Sequence, residues 1–556
     1  MPRLRRACLI VLSIASLLGT FRPPLADVKS QQRDSGPAAA PPEGVETNLC
    51  TEQLLMGDPQ VGPRWNGWGN GSANTRFQPK SQGKLTAADL PRLQLKWAFG
   101  YAGVPSAGPQ VTVAGGRLFA TSESGRLYAL NPHTGCRYWT YKAQAGIATA
   151  AIVGRYRSRD GNEAVAVFFG DRKANVYAVD AQTGKEIWVR KVDAHASAGI
   201  TGGLAFAADR VFVPVQGLNE ESLRGVAGYP CCTFRGSVSA LDASTGNVIW
   251  KTYTVGESLP RPPAQDDTPA YGPAGGGIVS VPTIDTKRRL VYVSTGNGYA
   301  EPLQSTTHAV LALDINTGEM KWTQQLTSGE DWSLGCQRSD GGNSAWLDTP
   351  KPDFDLSAPP ALVRVHDRDL LVVPQKSGIA WALDPNHEGA VVWQYRFGHG
   401  SGLDAQWGVA FADERIYVGV ADVSTPTPGG TRALALEDGH PLWEKPPPTR
   451  LCGIAQGCSA GQGGPLTAIP GAVLSGGLDG GLRAYSAKDG SILWTFDTNR
   501  DFDTVNGVKA SGGSMDSAGP VVVDGMLYVS SGSGGLVGRP GNVLLAFGLP
   551  SGRGSP

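Results

Sequence analysis

The chain has 556 residues, with 49 basic and 49 acidic side chains balanced to a formal net charge of +0 and a pI near 7.0. It has neither a basic run nor a charged patch interleaved with aromatics, so it is not built to hold nucleic acid. At about 150 residues per domain the length suggests several domains, but a repeat described below gathers most of the chain into one.

Met1 to Arg6 carries Arg3, Arg5 and Arg6, and an apolar run from Ala7 to Leu18 follows that is short for a membrane span. This pattern predicts a secretory signal peptide over residues 1–26, cut near Ala26, with an uncleaved anchor as the alternative. The mature chain is then expected to be periplasmic or secreted and to have no membrane span. Residues 27–64 read as a flexible spacer, rich in Pro, Ala, Gln and Ser as far as Val45. Of eight cysteines, loss of Cys8 leaves seven in an oxidising compartment, and seven cannot all pair. Cys452 and Cys458 bracket a short loop that a disulfide can pin, whereas Cys50, Cys136 and Cys336 have no evident partner. No CxxCH occurs, so the chain carries no covalent c-type haem of its own.

From Leu127 onward one unit recurs: LYALNPHTGCRYW, VYAVDAQTGKEIW (from Val176), VSALDASTGNVIW (from Val238), LALDINTGEMKW (from Leu311), WALDPNHEGAVVW (from Trp381), LALEDGHPLW (from Leu434) and LRAYSAKDGSILW (from Leu482). An apolar strand ends in an Asp or Asn that can bond its own backbone. The chain then turns through a glycine and resumes as a strand ending in tryptophan. Trp97 in LQLKWAFG lacks such a strand before it, and NVLLAFG (from Asn542) lacks a tryptophan after it. The two ends complete one unit, which predicts an all-β, eight-bladed β-propeller over residues 65–550, closed by pairing of the N-terminal and C-terminal strands. Residues 551–556 are a tail. An open solenoid of the same hairpins would need capping repeats at its ends.

Between the hairpins, chemistry-bearing residues stand out. Glu220 and Glu221 are carboxylates suited to a hard cation such as Ca²⁺, or are solvated loop acids. Adjacent Cys231 and Cys232 can close a disulfide only as a small ring, a plate that suits a planar ligand, or can pair elsewhere or stay as buried thiols. Asn297, between two glycines, can ligate a metal or simply turn the chain.

The segments WNGWGNGSANTRFQP, CCTFRGSVSALDASTG, YVSTGNG, LVVPQKSGIAWALDP, TVNGVKASGGSMDSAGPVVVDGMLYV and PGNVLLAF together resemble the pyrroloquinoline quinone (PQQ) dependent alcohol dehydrogenases, most closely the polyvinyl alcohol dehydrogenase branch. The resemblance implies PQQ on the propeller axis with Ca²⁺ at its edge. By it, Glu220 or Glu221 and Asn297 match metal ligands, and Thr201 matches a residue bonding the cofactor. The Cys231–Cys232 pair caps the quinone, Lys376 meets the quinone oxygens, and Gln406 and Trp407 lie beside the ring. Arg235 is a plausible partner for a PQQ carboxylate, and Asn506 can present its amide to the channel. Val279 stands where the family places a stacking tryptophan, and Gln216 where it has a small hydroxyl residue. The segment from Tyr299 to Ala309, where the family carries its catalytic aspartate, contains none, so Glu301 and His308 are the candidate bases. The implied reaction is oxidation of a secondary alcohol, polymeric or small, with electrons leaving to a separate cytochrome c. A degenerate propeller without catalysis, or a scaffold of the outer-membrane assembly type, is the alternative, because fold does not choose function.

Overall fold

The structure is a computed structural model that describes residues 48–158, 160–223, 228–263, 268–328, 353–400, 404–534 and 538–550. The predicted signal peptide, most of the spacer, Cys336 and the C-terminal tail lie outside the described residues.

Seven four-stranded sheets and one of five strands, all antiparallel, make up eight blades. In chain order they span residues 112–142, 152–191, 198–253, 283–325, 361–396, 410–445 and 467–497, and the eighth combines residues 521–548 with the strand Gln94–Gly100. That strand pairs antiparallel with Val543–Gly548 and sets Trp97 opposite Ala546, so the ring closes as the sequence expects. Within each blade the inner strands are buried and the outermost is half exposed: Ala472–Gly476 is buried throughout, whereas Ile492–Asp497 alternates with solvent. The alternating sequence pattern of the outer strands follows from that difference.

The recurring turn forms for a local reason. In LALDINTG, Asp314 Oδ1 accepts hydrogen bonds from the backbone N–H groups of Asn316 and Thr317 at 2.9 and 3.0 Å, which shapes the turn. The turn glycine also has a tertiary task. Gly184 has φ 75°, and a Cβ there would stand 2.7 Å from the indole of Trp139 on the preceding blade. The same indole donates its N–H to Ala181 O at 3.2 Å. Trp188, Trp393 and Trp443 repeat both contacts on the next blade, and Trp97 makes them from the closing strand onto Gly135 and Pro132 O.

Residues 48–64, which the sequence suggests are spacer, are docked where described. A Cys50–Cys136 disulfide and a bridge from Leu49 to Arg137 fix them to blade 1, and Gln182 accepts a hydrogen bond from Met56 N on blade 2. Beyond them the segment 65–78 circles the axis. Its groups bond in order to Val153 of blade 2, Ile284 of blade 4, Leu362 of blade 5, Phe411 of blade 6, Ala468 of blade 7 and Val522 of blade 8, after Trp65 pairs with Val113 of blade 1. Trp68 packs against the cluster shared by blades 3 and 4. We refer to this segment as the strap.

Replacing Gly184 by alanine forces both a left-handed φ and an overlap with Trp139, whereas Gly116, at φ 75° with open space around it, tests the φ alone. Gly116→Ala is expected to cost about 1–2 kcal/mol and Gly184→Ala about 2–5 kcal/mol, read as shifts in the urea unfolding midpoint. Equal shifts would remove the indole contact from the account.

Candidate functional site

A cavity of about 520 Å³ opens on the axis, a size typical of small-ligand sites. Its walls come from two kinds of connection: those that lead from an outermost strand to the next innermost strand, and those between the second and third strands of a blade. In an up-and-down sheet these lie on one face. Thr201, Val279, Ser357, Trp407 and Asp516 come from the first kind, and Glu123, Arg172 and Gln216 from the second. Trp68 of the strap also lines the cavity. A second cavity of about 550 Å³ lies where residues 54–63 cross the closing blades, with the solvent-open side chains of His133 and Asp524 in its lining.

Arg172 grips Glu123 with two bonds of 2.7 and 2.6 Å, and that carboxylate holds the guanidinium firmly charged. Gln216 Nε2 donates to Thr201 Oγ1. Asp516 accepts the Trp407 indole N–H at 3.1 Å and the Gln406 amide at 3.3 Å, and burial pushes its carboxyl pKa up.

Next to this wall lies a buried polar cluster. Gly296 N donates to Gly277 O at 2.9 Å, and Gly277 packs on Gln216, which brings the STGN turn to the cavity. Asn297 there donates its backbone N–H to Asp355 Oδ1 at 2.8 Å and its side-chain N–H to Asp353 Oδ1 at 3.3 Å, and its Oδ1 accepts from His308 Nε2 at 2.6 Å. Lys376 Nζ sits between the two carboxylates, 2.8 Å from Asp353 and 3.0 Å from Asp355. Burial opposes charge on Lys376, yet the two carboxylates outweigh it and raise its pKa. Burial and the neighbouring Asp355 push Asp353 up to about 6, although Lys376 and Asn297 pull the other way. Burial lowers His308 to about 4, so at neutral pH it is uncharged and donates its Nε2 proton to Asn297.

Of the predicted site residues, Thr201 and Trp407 line the cavity, Gln406 bonds Asp516 of its wall, and Asn297, His308 and Lys376 belong to the neighbouring cluster, whereas the other candidates make different contacts. Glu220 is fully buried, yet it accepts from the backbone N–H groups of Thr233 and Phe234 at 2.7 and 2.6 Å and so caps a loop. The Glu221 side chain lies outside the described ones. Cys231 and Cys232 do form a disulfide, and Cys231 O and Cys232 N bond Tyr271 away from the cavity lining. Arg235 stacks 3.9 Å from the centroid of Tyr253 and donates to Val255 O. Asn506 is spent on the backbone of Gly100, where it secures the closing strand. Glu301 is exposed and accepts from Leu303 N, so its carboxylate turns a surface loop. The Cys452–Cys458 disulfide forms as expected.

Two aspartates reach the STGN turn from further along the chain. Asp353 and Asp355 arrive on the connection entering blade 5, and their PDFD pattern directly before the strand Ala361–Val365 is the signal that would have found them. Asp516, Glu123 and Arg172 had no sequence mark beyond their place at strand ends. Two indoles, Trp68 and Trp407, line the cavity along with Val279, with their centroids 6.5 Å apart.

Oxygen donors are what a hard divalent cation takes, and Asn297, Asp353 and Asp355 offer them with two negative charges against the single ammonium of Lys376. Among the described residues no group of three or more His, Cys, Asp or Glu side chains could enclose a metal by itself. The donor set therefore fits a cation that takes its other ligands from a bound cofactor or water. Arg172 and Glu123 form a charge-neutral pair on the cavity wall, so a bound anion would have to share the guanidinium with that carboxylate.

A family profile described as "Outer membrane protein assembly factor BamB" matches residues 81–252, 172–397 and 376–544. The chain is 41% identical over 527 residues to a polyvinylalcohol dehydrogenase of Pseudomonas sp., covering 92% of this chain and 80% of that protein. It is 37% identical over 524 residues to the polyvinylalcohol dehydrogenase of Sphingopyxis sp. (strain 113P3), covering 90% and 79%. Among solved structures it is similar in fold to a europium-containing methanol dehydrogenase, with a TM-score of 0.64 at 16% identity, over 88% of this chain and 98% of that one.

Lys376 is the cation that lets two buried carboxylates coexist. In chelator, Lys376→Met is expected to lose about 3–5 kcal/mol of stability at pH 7. The sign follows from linkage: burial and Asp355 already hold Asp353 at about 6 against the pull of Lys376, and loss of the ammonium raises it further. The deficit is therefore widest at high pH and narrows as pH falls toward about 6, because the variant takes up its proton before the unaltered protein does. Chemical denaturation of both proteins from pH 5 to 8 checks this, and a deficit that does not change with pH refutes it.

Proposed function

Because the chain belongs to the polyvinyl alcohol dehydrogenase family of quinoprotein alcohol dehydrogenases, we propose that it oxidises secondary alcohols, polymeric or small, with PQQ and Ca²⁺ in the axial cavity and passes the electrons to a separate cytochrome c. The observation that carries the site is the Asn297, His308, Asp353, Asp355 and Lys376 cluster beside that cavity. PQQ supplies a two-electron acceptor when bound, and the cation beside it makes that acceptor more electrophilic.

The remaining roles fall to the chain's own side chains. Asn297 and Asp355 would hold the cation through their oxygens, with Lys376 limiting the repulsion between the carboxylates. Asp353, set near pH 6, is suited to take the hydroxyl proton of the alcohol, because a base works best with a pKa close to the operating pH. Oxidation then converts the carbinol carbon to a carbonyl. Neutral His308 orients the Asn297 amide by holding its Oδ1. Arg172 would meet a cofactor carboxylate from the cavity wall, a task for which Arg235 points the wrong way. Thr201, Gln406 and Trp407 line or adjoin the space for the ring. The arginine-rich, apolar N-terminus supports export to the periplasm. Among the described residues no helix is long and apolar enough to cross a membrane.

A scaffold role is the second reading, favoured by the description of the matching family profile. It does not call for a buried Asp–Lys–Asp cluster.

Dye reduction by purified protein given PQQ and Ca²⁺, with 2-alkanols and polyvinyl alcohol oligomers as substrates, tests the proposal. Turnover is expected, with loss in chelator and recovery on adding Ca²⁺. Asp353→Asn is expected to lower kcat by about 10²–10⁴-fold while the cofactor still binds. Binding without turnover in the unaltered protein points to a degenerate member, and absence of binding to a scaffold.

A further inference from the structure

We propose that Trp68, brought in by the strap, is the face on which the planar cofactor stacks, in place of a tryptophan at position 279. The inference rests on the quinoprotein reading above and assigns it one further positioning residue.

Trp68 comes from far outside the loops that build the cavity, yet it lines the cavity and is left half-buried there. A large aromatic side chain left partly open inside a pocket is a surface awaiting contact. One face of the indole is already taken: the Arg76 guanidinium lies over the ring, 5.4 Å from its centroid. The residue is also held through both its ring and its backbone. Its Nε1 donates to Trp407 O at 3.3 Å, and its carbonyl accepts from Arg76 Nη1 at 2.6 Å and from Gln110 Nε2 at 2.8 Å. A stacking surface needs such fixing, because a ring free to rotate would lose entropy on binding.

The residues around Trp68 are pared back. A Cβ at Gly202 would stand 2.5 Å from Val279 O, and one at Gly203 would stand 2.7 Å from Val281 and 3.4 Å from Trp68. Position 279 itself carries only valine. The wall beside the indole is thus closely packed backbone and small side chains, and Trp68 is the aromatic group it presents to the cavity. Trp407 does not compete for the task. Its plane is tilted 58° from Trp68, so one flat ligand cannot lie parallel to both, and its N–H is committed to Asp516 at 3.1 Å. Arg76 behind the indole adds positive charge under the place where a tricarboxylated ring would rest.

Equilibrium dialysis of PQQ against apoprotein in Ca²⁺ separates the possibilities. Trp68→Leu keeps apolar bulk without a π face and is expected to weaken binding about tenfold to a hundredfold. Trp68→Phe keeps a ring and is expected to stay within about threefold of the unaltered protein. Unchanged affinity in Trp68→Leu overturns the assignment of Trp68 and leaves the quinoprotein reading standing. No binding by the unaltered protein overturns both. Should Trp68→Leu fail to fold, 5-fluorotryptophan labelling gives a second readout: the ¹⁹F resonance that disappears in Trp68→Phe must shift when PQQ binds the unaltered protein. A resonance that stays in place overturns the inference.

Discussion

Everything in this molecule depends on the indole of one blade lying against the turn glycine of the next. The contact removes a side chain at the one point where two twisted sheets come closest, and the indole N–H satisfies a carbonyl that would otherwise be orphaned there. Where the last unit has no such turn to offer, Trp494 meets Phe547 edge-on at 5.5 Å instead. Each junction is modest, but in a closed ring every junction constrains the rest. The loops at the axis can be specific because their anchoring blades cannot slide.

The strap is the second constraint. Its composition, rich in Gly and Asn, would suit a flexible linker, but its Asn and Arg side chains are spent on the innermost strands. Asn74 donates to Thr283 Oγ1 at 2.7 Å. Arg76, buried without a carboxylate, donates to Leu466 O, Trp68 O and Thr467 Oγ1, and burial lowers its pKa to about 9. A lone guanidinium survives such burial only if its donors find fixed acceptors. Here the acceptors lie on the strap itself and on blade 7, so the charge locks the segment to the ring.

The fold was legible because the hairpin repeats locally, and the orphaned halves at Trp97 and Val543 gave the closure. The site was legible only in part. Asn297, Lys376, Gln406 and Trp407 sit in strings that are themselves distinctive. Glu220 and Arg235 sit in equally distinctive strings, but whether a side chain faces the axis or caps its own loop depends on how the loop packs, which linear spacing does not encode. Asp353 and Asp355 lie beyond the segment between the STGN turn and the next strand, so local spacing does not point to them. The fold brings a later connection over the same spot. Trp68 and Arg172 gain their meaning only from the circuit of the strap and the neighbouring blade.

The strap also ties the cavity to the integrity of the whole ring. Trp68 sits in a segment that bonds in turn to blade after blade. Loosening any one of those blades would therefore be felt at the cavity wall, so damage on the rim and damage at the hub are not independent.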